Sequence, residues 1–113
     1  MPDSAPLPPH MFFVLLVLNG GAAHGYGIKK AVLERSNGAV DLDAGGLYRL
    51  IARLEERGWA RTAAPPSNDA DPRRKHYELT DIGREALRAE ASRLSSLARE
   101  PDVVALAEAA RGA

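Results

Sequence analysis

Apolar and polar positions alternate along this chain in rhythms that divide it into elements. Met11 to Leu18 is an unbroken apolar run. It predicts a first helix over His10–Leu18, covered on both sides and stopped by Asn19-Gly20-Gly21. A second helix is expected over His24–Ser36. Its Tyr26, Ile28, Ala31, Val32 and Leu33 supply apolar contacts, while Lys29, Lys30, Glu34 and Arg35 face water. Gly25 and Gly27 weaken its first turn by about 1 kcal/mol each relative to Ala, and His24 is placed to cap or orient it. After the turn signal Asn37-Gly38, Leu47, Leu50, Ile51 and Leu54 follow the i, i+3, i+4, i+7 spacing of an amphipathic helix. Asp43 is its N-cap and Gly58 its C′ residue. The opposite face then carries Tyr48, Arg49, Ala52 and Glu56, with Arg53 beside them.

Trp59–Thr62 and His76–Leu79 are short β-permissive runs. The Pro-, Asn-, Asp- and Arg-rich stretch Ala63–Lys75 between them suits the loop of a hairpin. Thr80 is the expected N-cap of a fourth helix, with Asp81 favourable in its first turn. Ile82, Ala86, Leu87, Ala91, Leu94 and Leu97 form its apolar stripe, longer than a small core requires. Its far half is therefore read as a dimer surface. Glu100-Pro101-Asp102 interrupts the pattern before a short tail helix over Val103–Ala110. Tyr26, Trp59 and Tyr77 are read as packing residues, and Tyr48 as an exposed one.

The resulting fold class is mainly α, in the order helix, helix, helix, strand, strand, helix. Residues 1–9, with four prolines, form a disordered or extended arm. Residues 10–80 form one winged helix-turn-helix, and residues 81–113 the dimerisation helix and tail. A chain of 113 residues has a modest core, which burial between two copies would enlarge.

Charge changes this picture little. Fifteen basic and fifteen acidic side chains cancel, which argues mildly against nonspecific polyanion binding. From Asp43 to Leu79 there are seven basic and six acidic side chains, a net of +1. Placement says more than the total, because Arg73, Arg74 and Lys75 are contiguous. The absence of cysteine excludes disulfides, thiol nucleophiles and thiolate metal sites. His10, His24 and His76 lack ligand-like spacing, so neither a metal nor a cofactor is expected. A P-loop fails because Tyr26 stands where Lys is required, and neither G-x-S-x-G nor H-E-x-x-H occurs. No catalytic constellation is found. The apolar run is too short to span a bilayer, and it is preceded by Asp3 rather than a basic residue. A cytoplasmic protein is expected.

Residues alone leave two readings of Arg49 and Arg53. They could reach guanine edges, at about 1–3 kcal/mol of discrimination per bidentate contact, or they could form a solvated, carboxylate-paired face. Arg57, near the helix C-terminus, is explained by dipole complementation. Arg73, Arg74 and Lys75 could hold phosphates or guard a strand edge. Gly45 and Gly46 could admit a phosphate to backbone N–H groups or merely relax the turn.

Three segments together resemble the PadR family of transcriptional regulators, over about Phe12–Leu87. HGYGI at 24–28 is similar to the family's His-Gly-Tyr-x-Ile. GGLYRLIARLEERGWA at 45–60 is similar to its Gly-x-x-Tyr-x-x-Leu-x-x-Leu-Glu-x-x-Gly recognition helix. RRKHYELTDIGREAL at 73–87 is similar to its Arg-x-Lys-x-Tyr-x-Leu-Thr-x-x-Gly run. The resemblance implies a homodimeric winged-helix DNA-binding protein, most often a repressor, that in many members responds to a small molecule. On this chain it implies DNA contact by Tyr48 and its neighbours Gly45, Gly46, Arg49 and Arg53, and phosphate contact by Arg73, Arg74 and Lys75. It puts Phe12 and Leu16 of the first helix in the dimer interface with Leu87, Ala91, Leu94 and Leu97 of the fourth. Phe12 and Phe13 are the aromatic candidates for an effector pocket. The chain departs from the family pattern at Ala44 and Arg49, where Pro is common, and at Gly46, where a hydroxyl residue is common. The implied partners are an approximately palindromic duplex, with half-sites about one turn apart, and a second copy of the chain. A rival reading is a winged-helix module that binds another protein and no longer binds DNA.

Overall fold

The computed structural model describes residues 6–66, 71 and 73–112. The expected arm residues 1–5 and the wing-loop positions 67–70 and 72 lie outside the described residues, as does residue 113. Helix α1 spans Pro9–Asn19 and opens on a proline, which is pre-set for a first helical turn. Met11, Val14, Leu15 and Leu18 point into the core, while Phe12, Phe13 and Val17 pack at its edge. Leu7 also packs there, so the chain is held against the core just before α1 begins.

Strand β1 (Ala23–His24) leads directly into α2 (Gly25–Arg35). The His24 ring caps α2, its Nδ1 accepting the Gly27 N–H at 3.1 Å. Helix α2 buries Gly25, Ile28 and Val32. Asn37 and Gly38, with φ of 54° and 82°, reverse the chain after it. Helix α3 covers Ala44–Glu56, with Asp43 Oδ1 accepting the Gly46 N–H at 2.6 Å. Its end is a Schellman closure: Trp59 N–H donates to the Leu54 carbonyl at 2.9 Å and Gly58 N–H to that of Glu55 at 3.0 Å. Gly58, with φ of 76°, supplies the left-handed residue this closure needs.

Strands β2 (Ala60–Ala63) and β3 (His76–Leu79) pair antiparallel, Ala60 opposite Leu79 and Thr62 opposite Tyr77. Arg61 and Glu78 meet across this ladder at 2.7 Å. The sheet has three strands in the order β1-β3-β2, where the sequence predicted a two-stranded wing. Strand β1 is only two residues long, too short to carry an alternating pattern, and it exists because β3 offers it a free edge.

Helix α4 (Asp81–Ala98) is stitched to the start of β2. Thr80 Oγ1 accepts the Gly83 N–H at 3.0 Å and donates to the Gly58 carbonyl at 2.5 Å, while Thr80 N–H donates to the Trp59 carbonyl at 3.0 Å. The buried stripe of α4 is Gly83, Leu87 and Glu90. The expected stripe is corrected at Ile82, Ala91 and Leu97, which are exposed. Helix α5 (Pro101–Gly112) extends beyond the tail helix expected and buries no residue. Among the described residues no helix is long and apolar enough to cross a membrane.

The architecture is a winged helix: α1, α2 and α3 around one core, a β wing, and α4 leaving from the wing's base. The core is built from α1, Ile28 and Val32 of α2 and the inner face of α3, and it is closed by Ala60, Tyr77, Leu79 and Leu87.

Candidate nucleic-acid interface

The capping at Asp43 and the four buried residues of α3 fix which side of that helix faces out. Leu47, Leu50, Ile51 and Leu54 are buried, which leaves Tyr48, Arg49, Ala52, Arg53 and Glu56 exposed. Tyr48 is 50% exposed. Among the described residues neither Arg49 nor Arg53 is held in an ion pair with a carboxylate. Arg57 is used structurally, its guanidinium lying 4.9 Å from the Trp59 ring centroid and 3.7 Å from Met11 Sδ.

Two clefts flank α3. One, of about 370 Å³, lies between the start of α3, the start of α2 and the base of the wing. Tyr48, Arg73, Arg74 and Lys75 line it together with His24, Gly25, Tyr26 and Tyr77. Tyr48 and the contiguous basic run, far apart in sequence, thus converge on one surface. Among the described residues no carboxylate lines this cleft. The nearby Asp71 is engaged by Arg73, with 3.3 Å between its Oδ1 and Nε. The backbone N–H of Arg73, and then its guanidinium, hold the Asp71 carboxyl below the usual range. Burial pushes the Tyr77 phenol up, and its neighbours Tyr48 and Glu55 add to that.

The second cleft, about 210 Å³, is lined by Gly46, Arg49, Arg53 and Leu50 of α3 with His10 and Leu42. It joins three more candidates and adds His10. Gly46 donates to the Asp43 cap, and a Cβ there would stand 2.9 Å from Asp43 Oδ1. The missing side chain at this departure from the family pattern therefore suits the cap. Gly45 is exposed at the helix start beside the Arg49 guanidinium.

A third cleft, about 270 Å³, separates the arm and α1 from α4. Leu7, Pro9, Phe12, Phe13 and Leu94 make it mainly apolar, and Glu90 and Arg93 line its polar side. Phe12 and Phe13 meet edge to face with centroids 6.0 Å apart. Glu90 is only 5% exposed, and Arg93 grips it through Nη2 at 2.6 Å and Nε at 2.9 Å. The Arg93 hydrogen bonds hold the Glu90 carboxyl below its usual range against the opposing effect of burial, and the Leu7 N–H helps.

Of the residues expected at a dimer interface, Phe12, Leu16 and Leu94 are half-buried, while Ala91 and Leu97 are exposed. Leu87 is consumed by the protomer's own core. Tyr26, read from sequence as a packing residue, is 68% exposed and lines the wing cleft. Its place was readable: Gly25, Ile28 and Val32 set the inward face of α2, and Tyr26 lies a helical step of about 100° off Gly25. Sequence does not make His24 and His10 members of these clefts, because only the tertiary fold brings them there. Glu90 carried no signal at all, being a charged residue in a stripe read for apolar ones. Among the described residues no group of three or more His, Asp or Glu could hold a metal ion.

Solved structures share this architecture. A PadR family transcription regulator from Clostridium difficile is 21% identical at a TM-score of 0.67, over 80% of this chain and 91% of that one. RosR of H. salinarum is 23% identical at a TM-score of 0.67, over 97% and 94% of the two chains. The smu.1704 protein of Streptococcus mutans is 21% identical at a TM-score of 0.70, over 89% and 92%. At these identities the likeness is one of fold. No curated protein sequence matches the chain. The model of the transcriptional regulator PadR-like family matches residues 14–89, most of the chain and all of the winged helix from within α1 to the middle of α4. The protein therefore belongs to the PadR-like family of transcriptional regulators, whose members are DNA-binding regulators and not enzymes.

Proposed function

We propose that the protein is a cytoplasmic, homodimeric repressor that reads an approximately palindromic operator, one α3 in each major-groove half-site. The observation that carries this reading is the wing cleft, where Tyr48 of α3 meets Arg73, Arg74 and Lys75 and no carboxylate among the described residues lines the space. On this reading Arg49 and Arg53 reach base edges or flanking phosphates, and the wing residues supply affinity and salt dependence rather than specificity. Winged-helix residues 10–80 then form the DNA-binding unit and residues 81–113 the dimerisation unit. Exposed Leu97 of α4 and Val104 and Leu106 of α5 support a partner surface there, beside Phe12, Leu16, Ala91 and Leu94. The cleft lined by Phe12 and Phe13 is the effector site in this reading. Its ligand would be a small, largely apolar molecule with a polar end facing Glu90 and Arg93.

The test is binding to the DNA upstream of the protein's own gene, against random duplex, across a salt series. The expected result is a preference for that DNA with affinity falling steeply as salt rises. Arg49→Ala should lose the preference. An Arg73/Arg74/Lys75→Ala triple variant should show a shallower salt slope, by about 0.9 for each phosphate no longer neutralised. A well-folded dimer that binds no duplex above random at low salt would refute the reading and favour a protein-binding module.

A further inference from the structure

The His24 ring holds an arrangement that the cap alone does not explain. Its Nδ1 accepts the Gly27 N–H at 3.1 Å, so in the neutral ring the proton resides on Nε2. That Nε2 lies 3.2 Å from Arg74 Nη1. A guanidinium nitrogen is only ever a donor. The two groups are therefore N–H donors brought together. The other tautomer would make Nε2 an acceptor for Arg74, but it would put a second donor against the Gly27 N–H and undo the cap. Protonating the ring removes both acceptors.

The approach is built into the fold. His24 stands opposite His76 in the β1–β3 ladder, with the rings edge to face at 5.4 Å and 87°. His76, itself buried, places Nδ1 3.2 Å from the Arg74 carbonyl, so one buried ring braces both the Arg74 backbone and the His24 imidazole. Two donors held side by side, in a cleft also lined by Lys75 and Tyr48, define the seat of an anion. Asp71 of the wing sits on Arg73 and also feels the Arg74 charge, but it does not line the cleft.

We propose that His24 is a DNA-backbone ligand: one phosphodiester of the operator accepts from His24 Nε2–H and from the Arg74 guanidinium at the base of the wing. This rests on the DNA-binding reading above and assigns one phosphate of it to a residue outside the recognition helix and outside the basic run. The two ligands differ in kind. Arg74 brings a charge and His24 a neutral hydrogen bond, so only Arg74 contributes to counterion release.

His24→Asn separates the cap from the clamp, since an Asn oxygen caps a helix well but is too short to reach the Nε2 position. Thermal melting should leave His24→Asn close to wild type, while operator affinity falls roughly five- to tenfold with an unchanged salt slope. Arg74→Ala should lower both affinity and slope. The double variant should lose less than the product of the two single losses, because both residues serve one phosphate. Replacing that phosphate by an uncharged methylphosphonate should weaken wild type most, His24→Asn less, because Arg74 still meets the phosphate there, and Arg74→Ala least. Wild-type affinity in His24→Asn, or fully independent losses, would overturn the clamp while leaving the regulator intact. If wild type itself shows no preference for operator, the regulator reading fails instead. The clamp is then decided by NMR of the 15N-labelled imidazole: His24 must carry its proton on Nε2, and that signal must move with inorganic phosphate at constant ionic strength in wild type but not in Arg74→Ala. A proton on Nδ1, or no movement, overturns it.

Discussion

Gly83→Ala tests how α4 is fastened to the wing. A Cβ on Gly83 would run into the Trp59 carbonyl oxygen and stand 2.9 Å and 3.0 Å from the carbonyl carbon and Cα of Trp59. The obstacle is backbone, so no rotamer change relieves it. That same carbonyl accepts the Thr80 N–H at 3.0 Å, and displacing it loosens the stitch that sets the direction of α4. Two effects oppose each other. Ala gains about 1 kcal/mol of helix propensity over Gly. Overpacking a buried site costs about 1–3 kcal/mol, with the upper end apt where backbone must move, and a weakened hydrogen bond adds roughly 1 kcal/mol. Packing wins, for a net loss of about 1–3 kcal/mol. At roughly 4–8 °C per kcal/mol for a domain near this size, the melting temperature should fall by about 5–20 °C. Urea unfolding at fixed protein concentration should show a lower midpoint with an unchanged m-value. A midpoint equal to or above wild type would refute the reasoning, since it would mean that the strands yield to the methyl group without cost.

The companion Gly25→Ala should behave differently. Its Cβ would meet the Tyr48 hydroxyl, the far end of a half-exposed side chain that can swing away, so stability should change by less than about 1 kcal/mol while fluorescence anisotropy records weaker DNA binding. Glu90→Gln probes the carboxylate held down by Arg93. A carboxyl whose folded pKa is depressed contributes stability above the unfolded value of about 4.3 and loses it as pH falls through the lower folded value. The stability gap between wild type and Glu90→Gln should therefore be wide at pH 7 and narrow under acid, and a pH-independent gap in chemical denaturation would count against this ion pair. Leu97→Arg and Leu106→Arg alter residues 47% and 70% exposed on α4 and α5. Sedimentation should find these variants shifted toward folded monomer, and a dimer of undiminished stability would move the interface elsewhere.

How far such features are legible in the chain depends on whether their cause is local. The end of α3 needs only Leu54, Glu55, Gly58 and Trp59, and its start only Asp43 and Gly46, so both boundaries follow from residue type at short range. Strand β3 was readable as His76–Leu79 because its neighbours in sequence punctuate it. Strand β1 was not, because two residues have no periodicity and pair only once β3 is beside them. In α4 the sequence stripe drifted outward to Ile82 and Leu97, because the true inward line passes through Gly83, which has no side chain, and Glu90, which is charged. Both look polar or neutral to a pattern search, yet one packs against the Trp59 backbone and the other is a buried carboxylate held by Arg93. The wing cleft is a harder case. Tyr48 and the basic run were visible separately, but their meeting with His24 and Tyr26 depends on the β1–β3 register, which no local pattern encodes.

The same fastening bears on how a ligand could act at a distance from DNA. Helix α4 is fixed to the wing at its first turn through Thr80 and Gly83, and to α1 and the arm two turns later through Leu87, Glu90 and the Leu7 N–H. A molecule entering beside Phe12, Phe13 and Leu94 would press on the second attachment and leave the first in place. Helix α4 would then pivot about its wing end, carrying α5 with it, and the two DNA-binding units of a dimer would change their spacing without either being remodelled. Such a ligand can shift that equilibrium only by its difference in affinity for the two orientations. Breaking the second attachment from within, by Glu90→Gln, should therefore weaken operator binding in the dimer and leave a single half-site bound by each winged helix as before. Equal losses on full operator and half-site would show that α4 transmits nothing and that the cleft between α1 and α4 is only a gap in the packing.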